Sequence, residues 1–245
     1  MPEIQALGAD LPAWLGQARL SGVLSRLDDR LVAAVIHGSQ RLAMPAGAVA
    51  AGTEDEPWAV TVLSGSLRVF VPSNAGGQIT LRYLQAGDMI GTFAERRPSI
   101  ARSLHALEAS ELLRLDAQRL AGLAKSEPRL AWELLVEESR VLRLAHRSYG
   151  IRAFGSVRLR VANAILEIAS TRSRSRGGVR PGTVVTGTQQ ELANAAGTVR
   201  EVVATAVQAL KREGIIKVSR GSVVILDPDR LAQVADGGFG FGLGE

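Results

Sequence analysis

The 245-residue sequence contains no cysteine. That absence excludes disulfides, thiolate zinc sites, cysteine-ligated iron–sulfur clusters and thiol redox sensing together. Histidine is nearly as scarce. His37, His105 and His146 are the only three, scattered and with no His-x-His. A cupin-type enzyme holds its metal with clustered histidines and a carboxylate, which this pattern does not supply. A haem would have to take one of the same three as axial ligand, and each reads more simply as a surface or core side chain. No apolar run approaches the roughly 20 residues that cross a bilayer, and the N-terminus lacks the charged-then-apolar pattern of an export signal. The expectation is a cytoplasmic protein with no membrane partner, no metal site, no certain cofactor and no catalytic residues: not an enzyme.

What is present is concentrated in residues 186–226. Gln189 to Ala196 forms an amphipathic helix with Leu192, Ala193 and Ala196 on one face, Ala193 being small where a second helix must cross closely. Gly197 suits a left-handed turn. Apolar residues then recur at Val199, Val202, Val203, Ala206, Val207 and Leu210, the spacing of a second helix, with Lys211 and Arg212 near its C-terminal end and Gly214 as its stop. Ile215–Val218 and Ser222–Leu226 are β-branched runs joined by Ser219-Arg220-Gly221, a hairpin wing. Helix, tight turn, helix and wing make a winged helix-turn-helix that places one helix in the DNA major groove. A helical hairpin that merely packs is the bland alternative, and it does not explain the basic wing.

Charge points the same way. Residues 1–150 hold 16 Lys and Arg against 16 Asp and Glu, whereas residues 151–245 hold 13 against 8. The whole excess of positive charge lies in the half with the helix-turn-helix, the footprint expected of phosphate binding.

The rest of the chain reads as α+β. Residues 10–36 contain helical stretches. From Gly38 the pattern changes to short β segments punctuated by glycine, among them 58–63, 66–71, 78–84 and a closing strand at 112–115, which implies an antiparallel sandwich or jelly roll. Pro128 starts a long helix reaching about Tyr149, with Leu130, Leu134, Leu135, Val141, Leu142, Ala145 and Tyr149 as its stripe. The stripe suits a homodimer seam, or a helix that covers its own domain, and Glu137 and Glu138 interrupt it. Gly150–Ser156 resembles a hinge, Val157–Ala169 a helix, and Thr171–Gly182 a basic glycine-rich loop that either follows phosphates or is simply solvated. The expected domains are a β-roll with N-terminal helices (1–127), a dimerisation helix (128–150), a winged helix-turn-helix (151–236) and a disordered tail (237–245).

A glycine-punctuated β-roll, a long helix and a C-terminal winged helix-turn-helix, in that order, resemble the Crp/Fnr family of bacterial transcription regulators. The specific parts are Val62–Val69, Leu84–Gly91 and Gln189–Gly221. The resemblance implies that the roll senses a small molecule or redox state, the long helix dimerises, and the winged domain reads a palindrome in double-stranded DNA, with RNA polymerase as a further partner. Carried onto Gly197–Thr205, it places Arg200 and Glu201 where base-reading side chains stand. An Arg can donate twice to guanine, and a Glu can accept from cytosine N4. Val199 stands where a Ser or Thr cap is usual, leaving Thr198 as the expected cap. Thr205 stands where many members carry a second reading Arg. Arg158, Gln189 and Arg220 are candidates for phosphate or edge contacts.

In the sensory site the resemblance departs from the cyclic AMP pattern. The ribose-binding Glu position is Thr92, just after Gly91, and the Arg-Ser pair that holds the cyclic phosphate would fall on Ile100 and Ala101. Arg102-Ser103 stands two residues later, which on a strand moves the site by roughly 6–7 Å. The effector is therefore an unidentified small molecule, if one is needed. A cyclic nucleotide held at a shifted Arg102-Ser103 site is one alternative, and a ligand-binding module whose winged domain contacts protein is another.

Overall fold

The computed structural model describes residues 11–51, 58–72, 77–91, 102–173, 178–219 and 221–236. Thr92, Arg220, residues 174–177 of the basic loop and the tail from Gly237 lie outside these. Two compact units emerge: Met1–Val71 with Leu84–Leu142, and Pro72–Tyr83 with Arg143–Glu245.

The first unit opens with two short 3-10 segments, Ala13–Arg19 and Leu24–Arg26, and helix α1 (Asp29–Ile36). The Asp28 carboxylate accepts from the Leu31 amide and so caps α1. Eight strands follow: β1 (Gln40–Met44), β2 (Val49–Ala51), β3 (Ala59–Ser64), β4 (Ser66–Pro72), β5 (Gln78–Gln85), β6 (Met89–Gly91), β7 (Ser103–Ala106) and β8 (Ser110–Leu115). They form two four-stranded sheets, ordered β1-β8-β3-β6 and β2-β7-β4-β5. Every pairing resolved in these sheets is antiparallel, as the glycine spacing implied. Between the sheets lie Val60, Val62, Leu67, Val69, Leu84, Leu104 and Leu112. The opposite face of the first sheet, with Ala59, Leu63, Met89, Leu113 and Leu115, packs against the helical residues. A sheet covered on both sides needs buried residues at successive positions, which is why β3 reads Ala-Val-Thr-Val-Leu without apolar–polar alternation and is buried from Ala59 to Leu63.

Helix α2 (Ala117–Ser126), capped by Asp116, leads into α3 (Pro128–Phe154). The single stripe expected on α3 is two faces. Leu130 is fully buried and Leu134 half-buried against the core of the first unit, while Leu135, Leu142 and Tyr149 are 57 %, 55 % and 74 % exposed. Glu137 does not interrupt a seam. It belongs to the buried face, where Glu133 and Glu137 are each 4 % exposed. Arg26 Nε donates to Glu133 at 2.6 Å, and Arg140 donates to Glu137 at 2.6 Å and to Asp88 at 3.2 Å. Burial raises the carboxyl pKa of Glu137, but its hydrogen bonds with Arg140 and Arg26 and their charges outweigh that and hold it below the usual range.

Helix α3 also runs through Gly150 to Phe154, so the expected hinge contracts to Gly155 and Ser156. The Gly155 amide still donates to Ile151 O, and the Ser156 hydroxyl already accepts from the Leu159 amide. The break is the cap of the next helix. The second unit then contains α4 (Val157–Ser173), β9 (Val184–Thr186), α5 (Gln189–Ala196), α6 (Arg200–Arg212), β10 (Ile216–Ser219), β11 (Ser222–Ile225) and α7 (Pro228–Asp236). Its core joins Val161, Ile165, Leu192, Val203, Val207, Leu210, Ile216, Val223 and Leu231.

Candidate nucleic-acid interface

The reading head is assembled from local rules. Thr188 and Glu191 form a capping box: the Glu191 amide donates to Thr188 Oγ1 at 3.1 Å, and the Thr188 amide donates to Glu191 Oε2 at 2.6 Å. This fixes the start of α5 at Gln189. Its end is fixed by Gly197, in the left-handed region at φ +62°, a conformation that costs a residue with a Cβ. The Gly197 and Thr198 amides both donate to Ala193 O, closing the turn with α6 set to begin at Arg200.

The residue at the start of α6 is not the one expected. Val199, with extended backbone at φ −99° and ψ 157°, occupies the cap position, and no side chain caps the helix. Thr198 lies one residue too early, its amide committed to the preceding turn. Val199 has no acceptor, so the first amides of α6 receive no side-chain oxygen.

Helix α6 buries Val203, Ala206, Val207 and Leu210 and turns Arg200, Glu201, Thr205, Gln208, Lys211 and Arg212 outward, all exposed. Gln208 was not a candidate from the motif, yet its spacing from Glu201 and Thr205 puts it on the same face. Gln189 and Thr198 flank this face, both half-buried. Arg158 is engaged by a carboxylate: its Nη2 donates to Glu213 Oε2 at 2.5 Å. A second arginine missed by the motif, Arg160, donates from Nη1 to Gly197 O at 3.2 Å. Arg152, near the end of α3, donates to Thr80 O.

The wing is a three-stranded sheet ordered β10-β11-β9. Val218 opposes Val223 and Ser219 opposes Ser222, the hairpin read from the sequence. The third strand, β9, pairs Val185 with Val223. It was missed because three residues bounded by glycines carry no period. Arg220, at the hairpin tip, is outside the described residues.

On the sensory side, Gly91 ends β6 so close to β3 that a Cβ there would lie 2.2 Å from Trp58 O; it permits the strand pairing. Arg102 lies over the Trp58 ring, 6.0 Å from its centroid. Ser103 opposes Ala51 and Phe70, one residue out of phase with Leu104, which packs between the sheets. Successive strand residues face opposite ways, so Ser103 points away from the space between the sheets. Among the described residues no group of His, Asp and Glu is placed to hold a metal ion, and no helix is long and apolar enough to cross a membrane.

A β-roll unit followed by a winged helix-turn-helix with a polar, partly basic recognition face defines a DNA-binding transcription regulator. A family model described as a Crp-like helix-turn-helix domain matches residues 159–234. The Cyclic AMP receptor protein of Thermus thermophilus is 31 % identical over 181 residues, covering 72 % of this chain and 78 % of its own. The Transcriptional regulator SdrP of the same organism is 30 % identical, with 73 % and 84 % covered. A solved structure of a Crp/Fnr family regulator from Eubacterium rectale has the same fold, with a TM-score of 0.68, 22 % identity and coverage of 92 % of this chain and 98 % of that one. The chain belongs to the Crp/Fnr family of transcription regulators.

Proposed function

We propose that this regulator is a homodimer that reads a palindromic operator with Arg200 and Glu201, under the control of an effector site that departs from the cyclic AMP pattern. The observation that carries the reading is the outward face of α6: Arg200 and Glu201 stand exposed at the start of a helix whose other side is locked into the winged core. An Arg donating to guanine and a Glu accepting from cytosine N4 on one helical turn suit adjacent base pairs. Thr205 and Gln208 extend the face by one turn. The uncapped first amides of α6 favour a phosphate there, and Gln189, Thr198 and Arg220 are the flanking candidates for backbone contacts, whereas the guanidinium of Arg158 is engaged by Glu213.

Dimerisation is supported by the second face of α3. Trp132, Leu135, Ser139, Leu142, His146 and Tyr149 follow an alternating three- and four-residue spacing, the seam of a two-helix coiled coil. Trp132, Leu135, Leu142 and Tyr149 are all exposed, a run of apolar surface that a second copy would bury.

The first relative is named for cyclic AMP. Here, however, the position that would hold the ribose is Thr92, and Ser103 points away from the space between the sheets. An effector of different chemistry, or none, fits better. Its relatives are transcription regulators, and on this reading the protein acts in the same way in the cytoplasm, as a regulator rather than an enzyme, with RNA polymerase as a further partner. The Arg200→Ala variant tests the reading of DNA: it should cost about 1–3 kcal/mol and relax preference at one base pair of each half-site. An unchanged binding profile would instead favour a winged domain that contacts protein.

A further inference from the structure

Arg158 and Arg160 stand two residues apart in the first turn of α4 and reach opposite ends of α6. Arg160 donates to Gly197 O, three residues before α6 begins. Arg158 binds the carboxylate of Glu213, the residue that closes α6. The side chains of α4 that follow leave little freedom, since Val161, Ala162 and Ile165 pack in the same core as Val203 and Val207. The start of α6 has no side chain of its own to fix it, because Val199 cannot cap. The contact at Gly197 is therefore the polar tie that holds the turn from outside the helix-turn-helix. The guanidinium donates to this carbonyl with charge assistance, which a lysine ammonium would also supply.

Resting on the reading that α6 enters the major groove, we infer that Arg160 and Arg158 are positioning residues, which set the angle of α6 by tying its two ends to α4. Direct contact with phosphate is not their task. The distinction matters because both residues lie in the basic half of the chain, where a cation is most simply read as a phosphate ligand. A phosphate ligand adds affinity on every sequence and steepens the salt dependence. A positioning residue acts on the selected sequence alone, because only there must base-reading groups meet base edges in register.

The test uses the full-length protein, a duplex that it selects from a randomised pool, and a scrambled duplex, with affinities measured across a range of salt below each variant's melting temperature. Arg160→Ala should bind the selected duplex about tenfold more weakly, bind the scrambled duplex within about twofold of the wild type, and keep the same salt slope. Arg160→Lys, which retains a donor, should recover most of the loss. Glu213→Ala gives the sharpest contrast and covers the case in which Arg160→Ala fails to fold. Removing a negative charge and freeing Arg158 should tighten binding to both duplexes if electrostatics rule, but weaken binding to the selected duplex if Arg158 positions α6. A salt slope reduced by about one in Arg160→Ala would make Arg160 a phosphate ligand, and unchanged selected-duplex affinity would make it merely structural; either overturns the inference. Failure of the wild type to select any sequence would instead remove the DNA-reading premise.

Discussion

Val199 leaves the first turn of α6 without a side-chain acceptor at the position where serine, threonine, aspartate or asparagine would supply one. The side chain is exposed and its backbone already has the extended cap conformation. Val199→Thr therefore keeps the β-branched shape and adds an oxygen within reach of the uncapped amides. It should stabilise the protein by about 1 kcal/mol, read as a higher denaturation midpoint at unchanged slope. No gain would mean that the first turn finds its acceptors elsewhere. Glu137 makes the opposite case, a charge retained in a buried place. Its folded pKa lies below its unfolded one, so its contribution is present above the unfolded value, near pH 4.3, and is lost as pH falls through the folded value. Glu137→Gln should cost about 1.5–3 kcal/mol at neutral pH, and its deficit against the wild type should shrink on acidification below about pH 4. A deficit independent of pH would place the loss in packing rather than charge.

At the scale of elements, the helix-turn-helix was legible almost to the residue through the glycine at 197 and the apolar repeat from Val203 to Leu210, and the capping pair Thr188 and Glu191, which fixes the start of α5, emerged with the structure. The exception, Val199, is the boundary with no side-chain cap. Helix α3 was legible as a helix but not as two faces. Leucines at 130, 134 and 135 satisfy both a core-facing and a partner-facing period, and a list of apolar positions does not say which side a neighbouring sheet will cover. Glu137 resolves the faces only once Arg26, distant in sequence, is seen beside it. Strands β2, β6 and β9, of three residues each, fall below the length at which alternation can be recognised. Of the sensory candidates, the direction of Ser103 follows from register, which pairing sets and spacing alone does not. The exposed face of α3 carries its own prediction: Leu142→Asp should yield monomers in sedimentation while leaving the helical circular dichroism of each chain intact. Persistent dimers would place the association surface elsewhere.

At the scale of the whole molecule, residues 1–150 are neutral and residues 151–245 carry the net charge of +5, so the excess positive charge lies with the winged helix-turn-helix. Cyclic AMP at millimolar concentration should leave the melting temperature unchanged, because a ligand stabilises only to the extent that it binds the folded state; a clear upward shift would show that the roll accommodates it despite Thr92. The proposed homodimer, joined through the exposed face of α3, makes a geometric demand. Two α6 helices related by a twofold axis meet successive major grooves about 34–36 Å apart, or 10–10.5 base pairs between half-site centres. Selection of bound duplexes from a randomised pool, sequenced for wild type and for Arg200→Ala, measures this directly. The wild type should enrich an inverted repeat with that spacing, and Arg200→Ala should lose preference at one symmetric pair of positions. Enrichment of an asymmetric site, or the same repeat unchanged in the variant, would contradict a dimer that reads DNA through Arg200.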